Sequence, residues 1–104
     1  MKRMKRQPTH PGVIIKEDYL NPLSLTITEL SSILGISRKT LSKIINQRGS
    51  IIPDMALRLS RAFDTSPEFW LNLQKNYDLW QAEYSSQSWK SVKPISPQLL
   101  HANV

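Results

Sequence analysis

The chain of 104 residues contains no cysteine, and this absence excludes several classes of protein. Without a thiol there is no disulfide framework, no thiolate zinc site and no cysteine nucleophile. Long hydrophobic runs are also missing, since no stretch approaches the roughly 18 apolar residues that a membrane span needs. Basic residues open the chain but no apolar run follows them, so a signal peptide is not indicated. We therefore expect a soluble, cytoplasmic protein with no membrane partner.

Residues suited to catalysis or metal binding are sparse as well. His10 and His101 are far apart in the sequence, and His10 is better placed to cap a helix. Glu17 and Asp18 are adjacent, so on a helix their carboxylates point about 100° apart and cannot work as an acid–base pair. The sequence has no glycine-rich phosphate loop and no Ser-His-Asp pattern. We expect no enzyme activity, no metal ion and no cofactor.

Positive charge is what the chain has in excess, with 14 basic and 8 acidic residues and a net charge of +6. Much of it lies near the start, where residues 1–9 are predicted to form a flexible basic arm that carries Lys2, Arg3, Lys5 and Arg6. Whether this arm contacts DNA or has no role is open. A second concentration lies between Ser37 and Ser50, a stretch without acidic residues that contains Arg38, Lys39, Lys43 and Arg48. Such local charge is typical of a surface that faces nucleic-acid phosphates.

Start and stop signals divide the chain into five predicted helices, and no alternating strand pattern occurs. Pro11 and Asn21-Pro22 bound the first helix, and the capping box that Thr26 forms with Glu29 begins the second. The predicted helices cover about 11–20, 27–34, 38–46, 53–64 and 67–84. We predict one all-α domain over 1–104, with a helical core at 11–84 and a loosely ordered tail at 85–104.

The second and third predicted helices form a helix-turn-helix over about 27–46. A tight turn joins them, and Gly35 permits the sharp bend because it tolerates a left-handed backbone. Ile36 is expected to plug the space beneath the turn. Leu30 and Leu34 are then expected to pack against the apolar side of the third helix.

The opposite side of the third helix is polar and lacks acidic residues. Arginine and lysine can read guanine, asparagine can read adenine, and serine or threonine can contact either bases or phosphates. An inert solvated face is the alternative, but such a face normally mixes glutamate with lysine. The predicted DNA-binding residues are Thr26, Ser37, Arg38, Lys39, Thr40, Ser42, Lys43, Asn46 and Arg48.

The same residues carry a family resemblance. TELSSILGISRKTLSKIINQ at 28–47 resembles the helix-turn-helix of the lambda-repressor/Cro-like superfamily. HPG at 10–12, MALRLSRAF at 55–63 and TSPEFWLNLQKNYDLW at 65–80 make the chain more specifically similar to HigA antitoxins, also known as virulence-associated protein I. The resemblance covers about residues 10–84. It implies a five-helix lambda-repressor-like homodimer that binds and represses its own operator and neutralises an mRNA-cleaving toxin.

The chain departs from the family pattern at two helix ends. Members usually have glycine after the asparagine of the third helix, where this chain has Gln47, so Gly49 is a candidate for the capping role. They often have glycine at the end of the fourth helix, where this chain has Asp64. Aspartate tolerates the left-handed conformation, so we expect that cap to be kept.

The fifth predicted helix carries more large aromatic residues than a small core readily buries. Phe69 and Leu73 are expected to pack in the core. Aromatic residues are enriched at the centres of protein interfaces, so the others are predicted to form a dimer interface. These interface residues are Trp70, Tyr77, Trp80 and Tyr84.

Three functions fit these observations. The first is a DNA-binding antitoxin that represses its own operon, with double-stranded DNA carrying an inverted repeat, a second copy of the chain and a toxin as partners. The second is a protein-interaction module that has lost DNA binding, although the acid-free third helix opposes it. The third is a helix-turn-helix regulator with no toxin partner.

Overall fold

The computed structural model describes residues 6–101, and every regular element in that range is helical. The predicted all-α fold is therefore confirmed, whereas Lys2, Arg3 and Lys5 of the predicted arm lie outside the described residues. The elements in order are α1 (Pro11–Ile14), a π-helical stretch (Ile15–Leu20), α2 (Asn21–Leu23), α3 (Ile27–Leu34), α4 (Arg38–Ile45), α5 (Pro53–Phe63), α6 (Pro67–Ser85), a 3-10 turn (Ser88–Ser91) and α7 (Pro97–His101).

The first helical unit is longer than predicted, because α1, the π-helical stretch and α2 follow one another without a break. Asn21-Pro22 does not stop it, so that prediction is wrong by three residues. Pro22 lies inside this continuous unit, just after the π-helical stretch, and has no N–H to donate to it. The unit ends at Ser24, which has a left-handed φ of 54°, while the Leu25 N–H donates to the Leu20 carbonyl at 2.9 Å.

One apolar core joins the π-helical stretch with α3, α4, α5 and α6. Trp70 lies fully buried within it, and its indole N–H donates to the Thr65 hydroxyl at 2.7 Å. The rings of Tyr19 and Phe63 stack at 3.8 Å and link the π-helical stretch to α5. The buried apolar side chains of this core are Ile15, Leu20, Leu30, Leu34, Leu41, Ile44, Ile45, Ile51, Met55, Ala56, Leu59 and Trp70.

The rotation of α6 about its own axis differs from the prediction. Its buried residues are Trp70, Gln74 and Tyr77, whereas Phe69 is 41% exposed and Leu73 is half-buried. The predicted core position of Phe69 is therefore wrong. Trp70 and Gln74 each follow by one residue the two positions predicted to be buried, so the buried stripe is rotated around the helix and includes a polar glutamine.

Two further properties concern the described range alone. No helix within residues 6–101 is long and apolar enough to cross a membrane. The same part of the chain contains no group of three or more histidine, aspartate or glutamate side chains that could hold a metal ion. Residues 84–101 are all exposed, and the predicted loose order of the tail stays a prediction.

Candidate DNA-binding surface

The start of α3 is capped as the sequence predicts. The Thr26 hydroxyl accepts a hydrogen bond from the Glu29 N–H at 3.0 Å, and the Glu29 carboxylate accepts one from the Thr26 N–H at 3.0 Å. The hydrogen bond with the Thr26 backbone lowers the pKa of Glu29, and the hydrogen bond with the Thr26 side chain lowers it further. The Thr26 side chain is exposed, but its hydroxyl oxygen already accepts the capping hydrogen bond from Glu29. A DNA contact by this hydroxyl must therefore form in addition to the cap.

The turn between α3 and α4 has the predicted geometry. Gly35 has a left-handed φ of 70°, and the Ile36 N–H donates a hydrogen bond to the Ser31 carbonyl at 3.0 Å. Ile36 is half-buried against the core, beneath the turn. The turn therefore fixes the direction in which α4 leaves α3.

A second polar cap begins α4. The Ser37 hydroxyl accepts from the Thr40 N–H at 3.0 Å and donates to the Thr40 hydroxyl oxygen at 2.8 Å. Both side chains are exposed, so they lie on the surface at the N-terminus of α4. A helix N-terminus favours anions such as phosphate because its backbone N–H groups point outward.

Six of the predicted residues line one shallow, open depression along α4. None of the lining side chains is acidic, and the depression continues from the helix onto the loop that follows it. Asn46 donates to the Ser42 hydroxyl at 3.3 Å, which orients both polar groups on this face. The six residues are Arg38, Lys39, Ser42, Lys43, Asn46 and Arg48. Ser37 and Thr40 adjoin it at the start of α4, whereas Thr26 caps a different helix.

The loop after α4 is held by residues that sequence reasoning did not assign to the site. The His10 ring accepts from the Gly12 N–H at Nδ1 (2.9 Å) and contacts the Gly49 carbonyl through Nε2 at 3.2 Å. The buried Gln74 side chain accepts from the Ile51 N–H at 2.8 Å. His10 caps α1 as predicted, but its link to the loop spans 39 residues and has no local signal in the sequence.

Burial governs the protonation of His10. It lowers the pKa of the ring, and the hydrogen bond to Gly49 and the charge of Asp78 offset that effect in part. The neutral ring suits the geometry, because Nδ1 accepts a hydrogen bond while Nε2 donates one.

The cap at the end of α4 is formed by Gln47 itself, which has a left-handed φ of 61°. The prediction that Gly49 takes this role is therefore wrong. Gly49 instead lies close to α4, where an added Cβ would approach a side-chain carbon of Ile44 to 3.1 Å. Asp64 has a φ of 54° at the end of α5, so the predicted aspartate cap is confirmed.

Arg58 on α5 is a further residue that local sequence signals did not assign to the site. Its guanidinium donates to the Leu34 carbonyl at 2.8 Å and to the Gly35 carbonyl at 3.3 Å. It also pairs with Asp54 at 2.7 Å on the same helix. The spacing of Asp54 and Arg58 gives a local signal for the ion pair, but nothing in the sequence indicates the contacts with the turn.

The predicted dimer residues do not share one surface. Trp70 is fully buried and Tyr77 is 8% exposed, so both belong to the core of their own chain and their assignment to an interface is wrong. Tyr84 is 52% exposed, and its ring lies 4.9 Å from that of the half-buried Trp80. Helical periodicity places these aromatic residues on neighbouring faces of the helix, but it does not determine which of those faces packs against the core.

Comparison with known proteins places this geometry in a family. The helix-turn-helix family HTH_3 matches residues 16–70. An uncharacterized HTH-type transcriptional regulator of Haemophilus influenzae is 45% identical over 92% of this chain and 90% of the relative. Antitoxin HigA-1 of Vibrio cholerae is 36% identical over 91% of this chain and 90% of the relative.

A solved structure resembles the chain in three dimensions as well. The structure of antitoxin GraA in complex with its operator has a TM-score of 0.80 and 37% sequence identity, and the match covers 91% of this chain and 98% of that one.

The fold and the match define a helix-turn-helix protein of the lambda-repressor/Cro-like class, which is not a class of enzymes. Within that class, the chain belongs to the HigA antitoxin family.

Proposed function

We propose that the chain binds an operator upstream of its own coding sequence through the polar face of α4 and thereby represses transcription. Lys39, Thr40 and Lys43 contact bases, while Arg38 and Ser37 hold the sugar–phosphate backbone. Thr26 contributes a flanking contact, and Ser42, Asn46 and Arg48 complete the surface.

The observation that carries this proposal is the acid-free depression along α4. Its lining combines four basic side chains with serine and asparagine, the residue types that contact phosphates and base edges. The Thr40 N–H donates to the Ser37 hydroxyl at the start of the helix, and Arg58 donates to the Leu34 carbonyl in the turn before it. These bonds hold the surface in place in the free protein. A preformed surface binds with a smaller entropic cost.

The test compares operator binding by the double variant Lys39→Ala, Lys43→Ala with that of the wild type. Each lysine that reaches a base is worth about 1–3 kcal/mol, so we expect Kd to rise at least about tenfold and discrimination against a scrambled duplex to fall. Lys16→Ala, Lys90→Ala removes the same charge away from α4 and serves as the matched control. Equal effects of the two double variants would contradict the assignment.

The salt dependence separates base contacts from phosphate contacts. Replacing a lysine that neutralises a phosphate weakens binding to all sequences alike and reduces the magnitude of the slope of log K against log salt by about one. Titrating each single variant, Lys39→Ala and Lys43→Ala, at several salt concentrations therefore assigns each side chain to one role.

We further propose that the chain acts as a homodimer on an inverted repeat. One helix as short as α4 reaches only a few base pairs, which is too little to select a site in a genome. Two copies with recognition helices about 34 Å apart would read successive major grooves on one face of B-DNA.

The antitoxin role is the third part of the proposal, and membership of the HigA family supports it. The test is to express the small reading frame adjacent to this gene with and without the chain. We expect the neighbour's product to cleave mRNA and arrest growth, and the chain to relieve the arrest. Growth unaffected by the neighbour would favour the alternative, a helix-turn-helix regulator without a toxin.

A further inference from the structure

Residues 1–9 carry positive charge that the surface along α4 does not include. Four of the 14 basic residues of the chain lie in this stretch, and the first acidic residue is Glu17. Arg6 is described and exposed, whereas the other three basic residues lie outside the described residues. What this charge can contact depends on where the stretch joins the fold.

The stretch joins the fold at His10, which is 3% exposed. The Gly12 N–H donates to Nδ1 of the ring, and Nε2 contacts the Gly49 carbonyl. The ring of Tyr77 on α6 packs nearly perpendicular to that of His10, with 4.7 Å between the ring centroids. Contacts with α1, α6 and the loop after α4 thus fix the point from which residues 1–9 extend.

This attachment point borders the DNA-binding depression. Two consecutive N–H groups of the loop, those of Arg48 and Gly49, donate to the Lys43 carbonyl at 2.8 and 3.0 Å. The side chains of Lys43 and Arg48 both line the depression. Since His10 contacts the Gly49 carbonyl, the start of the described chain lies one loop residue away from a side chain of the depression.

We infer that residues 1–9 form a basic arm that contacts backbone phosphates of the DNA beside the groove that α4 enters. This inference rests on the proposed operator binding and adds a contact outside the helix-turn-helix. Phosphates are the ligand because lysine and arginine neutralise them and release their bound counterions. Such contacts hold a protein on the duplex without reading its sequence.

The arm is long enough for this contact. An extended chain spans at most about 3.3–3.6 Å per residue, so nine residues reach about 30 Å from His10. The major groove of B-DNA is about 12 Å wide, which brings the phosphates on both of its edges within that distance when α4 occupies it. A short tether anchored beside the site raises the effective concentration of the basic side chains at the DNA.

A transplant of the basic residues tests whether their position matters. One variant lacks residues 2–6. A second variant lacks them too but carries Lys-Arg-Met-Lys-Arg after Val104, which restores the net charge of the wild type. Both are titrated with the operator duplex and with a scrambled duplex at several salt concentrations.

The deletion should weaken binding to both duplexes by the same factor, at least about tenfold at low salt, and reduce the magnitude of the slope of log K against log salt by about two or more. The transplant should recover little of this loss, because its charges are not attached at His10. Full recovery by the transplant would overturn the inference, since charge would then act regardless of its position.

Hydroxyl-radical footprinting gives a second readout, which a loss of folding cannot imitate. The deletion should expose sugars beside each half-site, while the half-sites themselves stay protected by α4. A footprint that is unchanged by the deletion would contradict the arm.

Urea unfolding identifies the alternative, in which the arm pairs with acidic side chains of its own chain. A deletion that lowers the free energy of unfolding but leaves affinity and slope unchanged would assign the arm to that role and overturn its contact with DNA. A wild type that does not bind the operator would refute the proposed operator binding itself, whereas a wild type that binds with a slope independent of residues 2–6 would refute only the arm.

Discussion

At the scale of single residues, Arg58 holds the turn of the helix-turn-helix in place. Its guanidinium joins α5 to the two carbonyls that end α3. Arg58→Met keeps much of the aliphatic stem but leaves these carbonyls without their donor. Hydrogen bonds to charged groups contribute about 1.5–3 kcal/mol, so we expect the free energy of unfolding in urea to fall by about that amount.

Asp54→Asn is the control for this prediction. It weakens the exposed ion pair but keeps the contacts of Arg58 with the turn. Exposed pairs contribute about 0–1 kcal/mol, so the loss should be smaller. Similar losses from both substitutions would show that the turn does not depend on Arg58.

His10 gives the protein a dependence of stability on pH. Burial lowers the pKa of its ring in the folded chain, whereas the pKa of the ring in the unfolded chain is about 6.5. Below that pH the unfolded state takes up a proton first, so the free energy of unfolding falls as the pH drops and levels off below the folded pKa.

The measurement is urea unfolding at pH 7, 6 and 5. Asparagine can cap α1 without titrating, so the loss of stability between pH 7 and 5 should be smaller for His10→Asn than for the wild type. An identical pH dependence in both proteins would assign it to other groups.

At the scale of helices, α1 crosses the end of α4 at a position that only glycine permits. A Cβ added to Gly12 would overlap the carbonyl oxygen of Ile44. Gly12→Ala must push α1 away from α4, and such overpacking typically costs about 1–3 kcal/mol. Thermal and urea unfolding should show this loss, while the exposed Lys16→Ala, in the next turn, should stay within about 0.5 kcal/mol of the wild type. A stable Gly12→Ala variant would disprove the close approach.

At the scale of the whole molecule, the proposed dimer fixes the distance between two DNA-binding surfaces. Inserting five base pairs between the halves of the operator turns one half-site by about half a turn of DNA, so one dimer can no longer reach both. We expect the affinity to fall to that of a single half-site in a gel-shift titration. Unchanged affinity after the insertion would contradict a rigid two-fold dimer.

Local signals in the sequence determined most helix boundaries and the location of the DNA-binding candidates. Thr26, Ser37 and Gly35 act on backbone groups within a few residues of themselves, so their effect does not depend on the rest of the fold. The polar face of α4 was predictable for the same reason, because a strong helical period separates its apolar and polar sides. Whether those residues bind DNA in the proposed roles stays a prediction.

Only the tertiary structure decided which side of α6 is buried and which residues support the site from a distance. The helix has apolar residues on several sides, so its period does not define a single core face, and Trp70 rather than Phe69 occupies the interior. Arg58 and His10 act across 24 and 39 residues of sequence, through contacts that exist only once α5 and α1 have packed. Such long-range contacts depend on how whole helices pack together, and a local pattern of residues does not determine that packing.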